Sequence, residues 1–416
     1  MTPRKFLLIL FTFGLLTELR IFQGEQVIIP VVISFVIGWI FVLIHLPKFF
    51  NRDLSPFYML ILFFMTSIFF GPDKFESLLM RERFLGFIQI STSLVIGLAI
   101  FFESKKYSLK FLSSFFMALF CFLFIGAFIE VFTPFKILLD SIMEPLFPNY
   151  YSNTPGADSW LNDRDKSLYF LYRPKFFTSE PSHLGKFISM TLFLWRISTN
   201  HKSKNNIFLL LLMMSFFLVR SPLILFMIPV YFLIIFVLEK SQNKSINLNR
   251  LFGSILLFLA LIVGSANFLQ SRLNLASFGM DSSLNQRLII PSFITYEVLG
   301  SYPFFGVGIS AKEATELIVL EAFQEIDPNF QPRSLKQLLD KNHASSLMYL
   351  IYFGLIGTFI IIFLFRNLIL SFGVNNWLFI ILVFAVLGFT HGKLTGLNTW
   401  VYFFVTCRLM ITDKKI

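Results

Sequence analysis

Two cysteines in 416 residues, Cys121 and Cys407, rule out a disulfide scaffold or a thiolate metal centre. They stand far apart inside apolar runs, without metal-ligand spacing. Charge is scarce as well. Asp, Glu, Lys and Arg make up 14% of the chain, against about 25% in an ordinary soluble domain. With 56% hydrophobic residues, the chain cannot hide its apolar surface from water. Lipid must be the solvent for much of it. The opening run "MTPRKFLLILFTFGLLTELR" has the basic start and apolar core of a leader, but no small-residue cleavage site, and another apolar run follows at once. We read it as a retained first anchor. No internal repeat is visible.

What the chain does have is phenylalanine, 58 of them, spread from end to end. This is a bias that fills lipid-facing positions, and no motif is read from it. The net charge of +11 would suggest a nucleic-acid partner in a soluble domain. Here lysine and arginine fall in short loops instead, as they do on the cytoplasmic side of membrane proteins. Membrane lipid is therefore the expected partner, and nucleic acid is not.

A spanning helix needs about 20 mostly apolar residues. Candidate spans cover 5–20, 27–46, 56–71, 85–102, 111–133, 184–198, 206–220, 222–239, 251–269, 347–365, 377–391 and 394–411. The run 206–239 is too long for one span, and Arg220, Ser221 and Pro222 interrupt it. Proline removes a backbone donor and disfavours helix just before it, and a charge at mid-bilayer is expensive. The run is therefore split into a helical hairpin with Arg220 at its tip. That split returns Lys240, Lys244 and Arg250 to the side of Lys105, Lys106, Lys110, Lys202 and Lys204. Counted over the short loops alone, about 17 basic residues then lie on one side and about 6 on the other, the cytoplasmic bias.

The expected fold is an all-α integral membrane protein. It is a single polytopic domain, 1–416, of about twelve spans with both ends cytoplasmic. Two large loops, 134–183 and 270–346, face outward. In the second, "AKEATELIVLEAFQEI" repeats its apolar residues at helical spacing and predicts an amphipathic helix on the membrane surface. The cytoplasmic loops are short and carry nothing like a nucleotide site.

The ionisable residues at the outward edge are the candidates for chemistry: Arg173, Lys175, Glu180, His183, Arg220, Arg272, Arg287 and His343. Two readings stand for most of them. Lys175, Arg272 and Arg287 either snorkel from helix ends or bind an anion. His183 follows Glu180 at i+3, so the pair either caps the sixth span or serves a site. Arg220 lies between two apolar spans and calls for an anion or a watery cavity. His343, in "KNHASSLMYLIYFGLIG", has a side chain that takes a proton near neutral pH, as a general base must. "FFGVGIS" is not a dinucleotide fingerprint, because no strand or third glycine accompanies Gly306 and Gly308; a tight turn is expected there.

Three segments together resemble the O-antigen polymerase and O-antigen ligase superfamily. "RPKFFTSEPSHLGKF" is similar to its arginine-then-Glu-Pro segment after the first large outer loop. "NQRLIIPSFITYEVLGSYPFFGVG" is similar to its arginine, short helix and Pro-x-x-Gly-x-Gly turn. "NHASSLMYLIYFGLIG" is similar to its His-led helix ending in Gly-x-x-Gly. The layout of spans and outer loops is similar too. In "LVRSP", Arg220 precedes the serine, whereas many members place the serine first.

The resemblance implies glycosyl transfer at the periplasmic face of the bacterial inner membrane, in lipopolysaccharide biosynthesis. The donor would be a glycan on undecaprenyl pyrophosphate. A polymerase passes it to the next lipid-linked repeat unit, and a ligase passes it to lipid A core. The polymerase is preferred for Glu180-Pro181 after Arg173; a secondary transporter is the alternative from another class. The reaction is expected to need no cofactor and no metal, its arginines taking the place of the metal that many glycosyltransferases use. It would invert the anomeric carbon. His343 is the first choice of base, with Glu180 second or orienting it. Arg220 and Arg287 are assigned to the pyrophosphate, with Arg173, Arg272, Lys175 and His183 as further contacts. A chain-length regulator is a conceivable protein partner.

Overall fold

The computed structural model describes residues 2–17, 33–71, 77–135, 173–178, 181–199, 204–234, 290–311, 345–388 and 394–411, with scattered positions between 138 and 324. Every regular element among them is helical, and none is a strand. Four helical stretches are long and apolar enough to cross a membrane: Arg52–Phe69, Met80–Ser104, Leu109–Phe132 and Ser346–Ser371. Shorter apolar helices accompany them, among them Ile33–Phe49, Lys204–Val219 and Trp377–Leu387. The protein is thus a multi-pass membrane protein, all-helical among the described residues.

The chain divides into two compact units. The first comprises Met1–Phe41 and Glu103–Ser271, the second Val42–Phe102 and Arg272–Ile416. In the first, α1 (Pro3–Thr17) and the start of α2 (Ile33–Phe49) accompany α5 (Leu109–Phe132), α6 (Pro181–Ser198), α7 (Lys204–Val219) and α8 (Met227–Leu233). The second holds α3 (Ser55–Thr66), most of α4 (Ser77–Ser104), α9 (Ile290–Ser301), α10 (Ser345–Ser371), α11 (Trp377–Leu387) and α12 (Leu397–Met410).

Helix α5 begins where Ser108, in extended backbone, accepts the Phe111 N–H at 3.2 Å, an N-cap that satisfies one orphan donor. One face of α5 leaves Phe122, Ile125, Phe128 and Phe132 exposed, as lipid-facing side chains are. Its other face packs on α6. Helix α6 is buried on all sides from Phe187 to Ser198, because α5 and α7 both pack against it. Helix α12 is likewise buried from Thr399 to Leu409 in the second unit. Lipid tails are as apolar as leucine, so packing and small residues bring such helices together. A methyl on Gly97 of α4 would lie 2.7 Å from the Phe404 ring and 3.0 Å from the Trp400 carbonyl of α12. Aromatic edges fill the space around that crossing: Phe57, Phe101 and Phe372 each pair with Phe404.

Two boundaries differ from the expected ones for a physical reason. Helix α4 starts at Ser77, not 85, running through Arg81, Glu82 and Arg83. Charge ended the apolar run in sequence, but Arg83 is fully buried and donates to main-chain carbonyls, so the helix continues. Helix α10 runs past its expected end at 365 to Ser371, with a break at Gly354 inside the expected span. Span 251–269 and most of the two large loops lie outside the described residues. Within the segment expected to be amphipathic, Thr315 is buried while Glu321 and Gln324 are exposed.

Candidate functional site

In the first unit the residues of interest gather around the start of α6. The chain reaches it through Arg173-Pro174-Lys175-Phe176-Phe177-Thr178. Arg173 is buried and Lys175 half-buried. Two consecutive residues here, Phe176 (φ 24°) and Phe177 (φ 58°), have left-handed backbone without being glycine. Such residues cost of order 1–3 kcal/mol each and persist only where surroundings hold them. The hold is visible. Glu130, buried near the end of α5, accepts the Lys175 N–H with both carboxylate oxygens (3.0 and 3.1 Å) and the Phe176 N–H at 2.7 Å. The Phe176 ring lies over Gly126 of α5, where any Cβ would collide with it. Phe177 stacks with Phe122 and meets Phe13 edge-on. Thr178 closes the turn, its N–H donating to the Lys175 carbonyl at 2.9 Å.

Helix α6 then opens with Pro181, whose missing N–H would have no helical partner there in any case. His183 is half-buried in this first turn. Against the same end of α6 comes the break after α7. Arg220 is left-handed (φ 51°), its N–H donating to the Phe216 carbonyl at 2.7 Å. Ser221 is extended and fully buried, and a 3₁₀ turn, Pro222–Phe226, leads into α8. The chain reverses here: Phe208 of α7 stacks on Tyr231 of α8 with ring centroids 6.0 Å apart. In one unbroken helix those residues would be about 34 Å apart. Gly185 of α6 makes room for the turn, since a Cβ there would be 2.7 Å from that of Ser221. So Arg220 stands at a helical reversal seated on the first turns of α6 through its neighbour Ser221, which packs against Gly185.

The second unit holds a different construction. Residues Tyr302 to Ala311 fold into the break in α10. Gly354 (φ 61°, ψ −166°) leaves helical geometry, and the freed groups find new partners. The Val307 and Gly308 N–H groups donate to the Ile351 and Tyr352 carbonyls, each at 3.0 Å. In return Leu355 and Ile356 donate to the Pro303 and Phe304 carbonyls at 2.8 and 3.0 Å. Gly306 (φ 63°) and Gly308 (φ 90°) form the tight turn expected of them. Arg83 locks its far side, with Nη2 donating to the Val307 carbonyl at 2.9 Å.

Of the eight residues singled out from sequence, Arg173, Lys175, His183 and Arg220 belong to the first unit. Arg173 and Lys175 lie on the segment that leads into α6, His183 lies in its first turn, and Arg220 lies at the reversal that packs on Gly185 of α6. Glu180, Arg272, Arg287 and His343 lie outside the described residues. Sequence reasoning missed Glu130 and Arg83. Glu130 is the one acid in "LKFLSSFFMALFCFLFIGAFIEVF", and an ionisable residue inside a span was signal enough. Arg83 carried a weaker signal, a cation just before an apolar run. Chemically, the first-unit arrangement offers fixed cations and a histidine beside a helix start, which together favour an anionic group. Comparison with protein-family models, with curated proteins and with solved structures finds no match for the chain.

Proposed function

We propose that the protein is an O-antigen polymerase-like glycosyltransferase of the bacterial inner membrane. It would join oligosaccharide repeat units carried on undecaprenyl pyrophosphate, within a layout of about twelve spans and with its site toward the periplasm. The observation that carries this reading is that Arg173 and Lys175 stand on the approach to α6, next to the left-handed Phe176 and Phe177, His183 in its first turn, and Arg220 at a left-handed reversal packed against Gly185 of the same helix, in an otherwise apolar protein. Strained, charged positions inside a membrane protein are kept for a task.

In the reaction the acceptor sugar hydroxyl attacks the anomeric carbon of the donor chain. A new glycosidic bond forms as the bond to the pyrophosphate oxygen breaks, with inversion. The hydroxyl proton goes to His343, or to Glu180. The departing polyprenyl pyrophosphate carries the bonding electrons away as negative charge. Arg220 and Arg287 receive that charge, since guanidinium stays protonated and grips phosphate oxygens with a planar fork. Arg173, Arg272, Lys175 and His183 add to the field. One well-placed donor to developing charge is worth about 3–4 kcal/mol of barrier.

The break in α10 favours a second reading, a secondary transporter, because transporters bind substrate at interrupted helices. Here residues 303–308 occupy the break themselves and satisfy its backbone groups, which supports the enzyme over the transporter.

Deleting the gene is expected to leave surface glycan of one repeat unit per lipid anchor, seen as loss of the ladder on a lipopolysaccharide gel. Complementation by the intact gene should restore the ladder, and His343→Ala or Arg287→Ala should not, at unchanged membrane levels. Bare core after deletion would identify a ligase instead. An unchanged ladder would dismiss both enzymes.

A further inference from the structure

We propose that Glu130 is a positioning residue that sets the geometry of the cationic segment Arg173–Lys175; its importance for turnover rests on the glycosyl-transfer reading. Three observations converge on it. Its carboxylate is buried within α5 yet is committed to the peptide N–H groups of Lys175 and Phe176. Those residues are distant in sequence and attached to the segment that carries the cations. The backbone it grips contains two successive left-handed non-glycine residues. A connection with no task would relax there to ordinary angles, because a turn can be made without strain by glycine or asparagine. The neighbouring packing is built for the same conformation: Gly126, one turn before Glu130 on α5, is cut back to seat the Phe176 ring.

The chemistry explains why the group must be a carboxylate. Both acceptor oxygens are used, and neither can be replaced by a donor. Glutamine is nearly the same shape, but its amide would point an N–H₂ at a peptide N–H. Aspartate keeps both oxygens on a shorter stem. Glu130 has no reason to touch a glycan or a diphosphate. It acts through Arg173 and Lys175, fixing where their charges stand relative to the start of α6.

The test uses the full chain in lipid nanodiscs and in a deletion host. Amide hydrogen exchange at Lys175 and Phe176 is expected to speed up by about tenfold or more in Glu130→Gln, since bonds to a charged acceptor are lost. Glu130→Asp should recover part of that protection. The glycan ladder should be lost in the Gln variant and partly rescued by Asp, at wild-type insertion levels. If the Gln chain does not insert, the Asp chain decides: intermediate exchange with a shortened ladder supports the proposal. Unchanged exchange at these amides in the Gln variant would overturn it. So would faster exchange accompanied by a wild-type ladder, in either variant. Should the intact gene itself restore no polymer, the glycosyl-transfer reading fails separately. Inorganic pyrophosphate binding to the purified chains then decides: weaker binding in Glu130→Gln than in the parent supports positioning, and equal binding or none refutes it.

Discussion

Arg220 shows why residue identity and backbone conformation must be read together. Its φ of 51° belongs to the left-handed region, which costs a residue with a Cβ about 1–2 kcal/mol. Glycine would make the same reversal without that strain. Arg220→Gly is therefore expected to relieve that backbone strain and keep the reversal, while abolishing polymer at wild-type membrane levels. Arg220→Lys keeps the strain and the charge but loses the planar fork, and should also be inactive. A Gly variant with a full glycan ladder would make Arg220 a structural residue only. Arg83 is the contrasting case. It is fully buried, and its Nη atoms serve the carbonyls of Ile68 and Val307 at 3.5 and 2.9 Å. It clips a loop, and its charge has a structural use.

Helix α10 shows what an element can do when its neighbour completes it. In lipid an unsatisfied backbone group costs several kcal/mol, so a broken helix survives only where protein supplies new partners. Residues 303–308 supply them on both sides of Gly354. The approach is backbone to backbone: a Cβ on Gly354 would lie 2.5 Å from the Phe304 carbonyl carbon, and no side chain can swing away to admit it. Gly354→Ala should lower stability by at least about 1–3 kcal/mol from its φ of 61° alone. Gly300→Ala on α9, where a Cβ meets nothing within 4 Å, should be neutral or stabilising by up to about 1 kcal/mol. Thermal melts of the two proteins in one detergent provide the comparison. Equal melting temperatures would show that α10 is continuous. "FFGVGIS" announced its turn in sequence, because paired glycines have few other uses. The break at Gly354, inside the expected span 347–365, left no such mark, because the loop that fills it lies some 50 residues upstream (Leu355 donates to Pro303).

At the scale of the whole protein, sidedness turns on the reversal at Arg220. We propose that Lys105, four spans after a cytoplasmic N-terminus, faces the cytoplasm, and that the hairpin of α7 and α8 puts Ser301 on the periplasmic side, in keeping with the positive-inside rule. Both are exposed on the surface of their own unit. With Cys121 and Cys407 replaced, a membrane-impermeant maleimide applied to intact spheroplasts should label Ser301→Cys and spare Lys105→Cys. Labelling of both or neither from outside would remove the periplasmic site. Labelling confined to Lys105→Cys would turn the molecule over.

Membrane residence, helical class, the reversal at Arg220 and the glycine turn were all legible in one dimension. They follow from composition and from local backbone chemistry, which act within a few residues of where they are written. The grip of Glu130 on Lys175 and Phe176, the Arg83 clip to a carbonyl 224 residues away, and the filled break in α10 were not. Each is a bond between a polar group and a main-chain partner distant in sequence. Every peptide offers the same N–H and C=O, so only folding, by bringing two particular segments within about 3 Å, selects which ones meet.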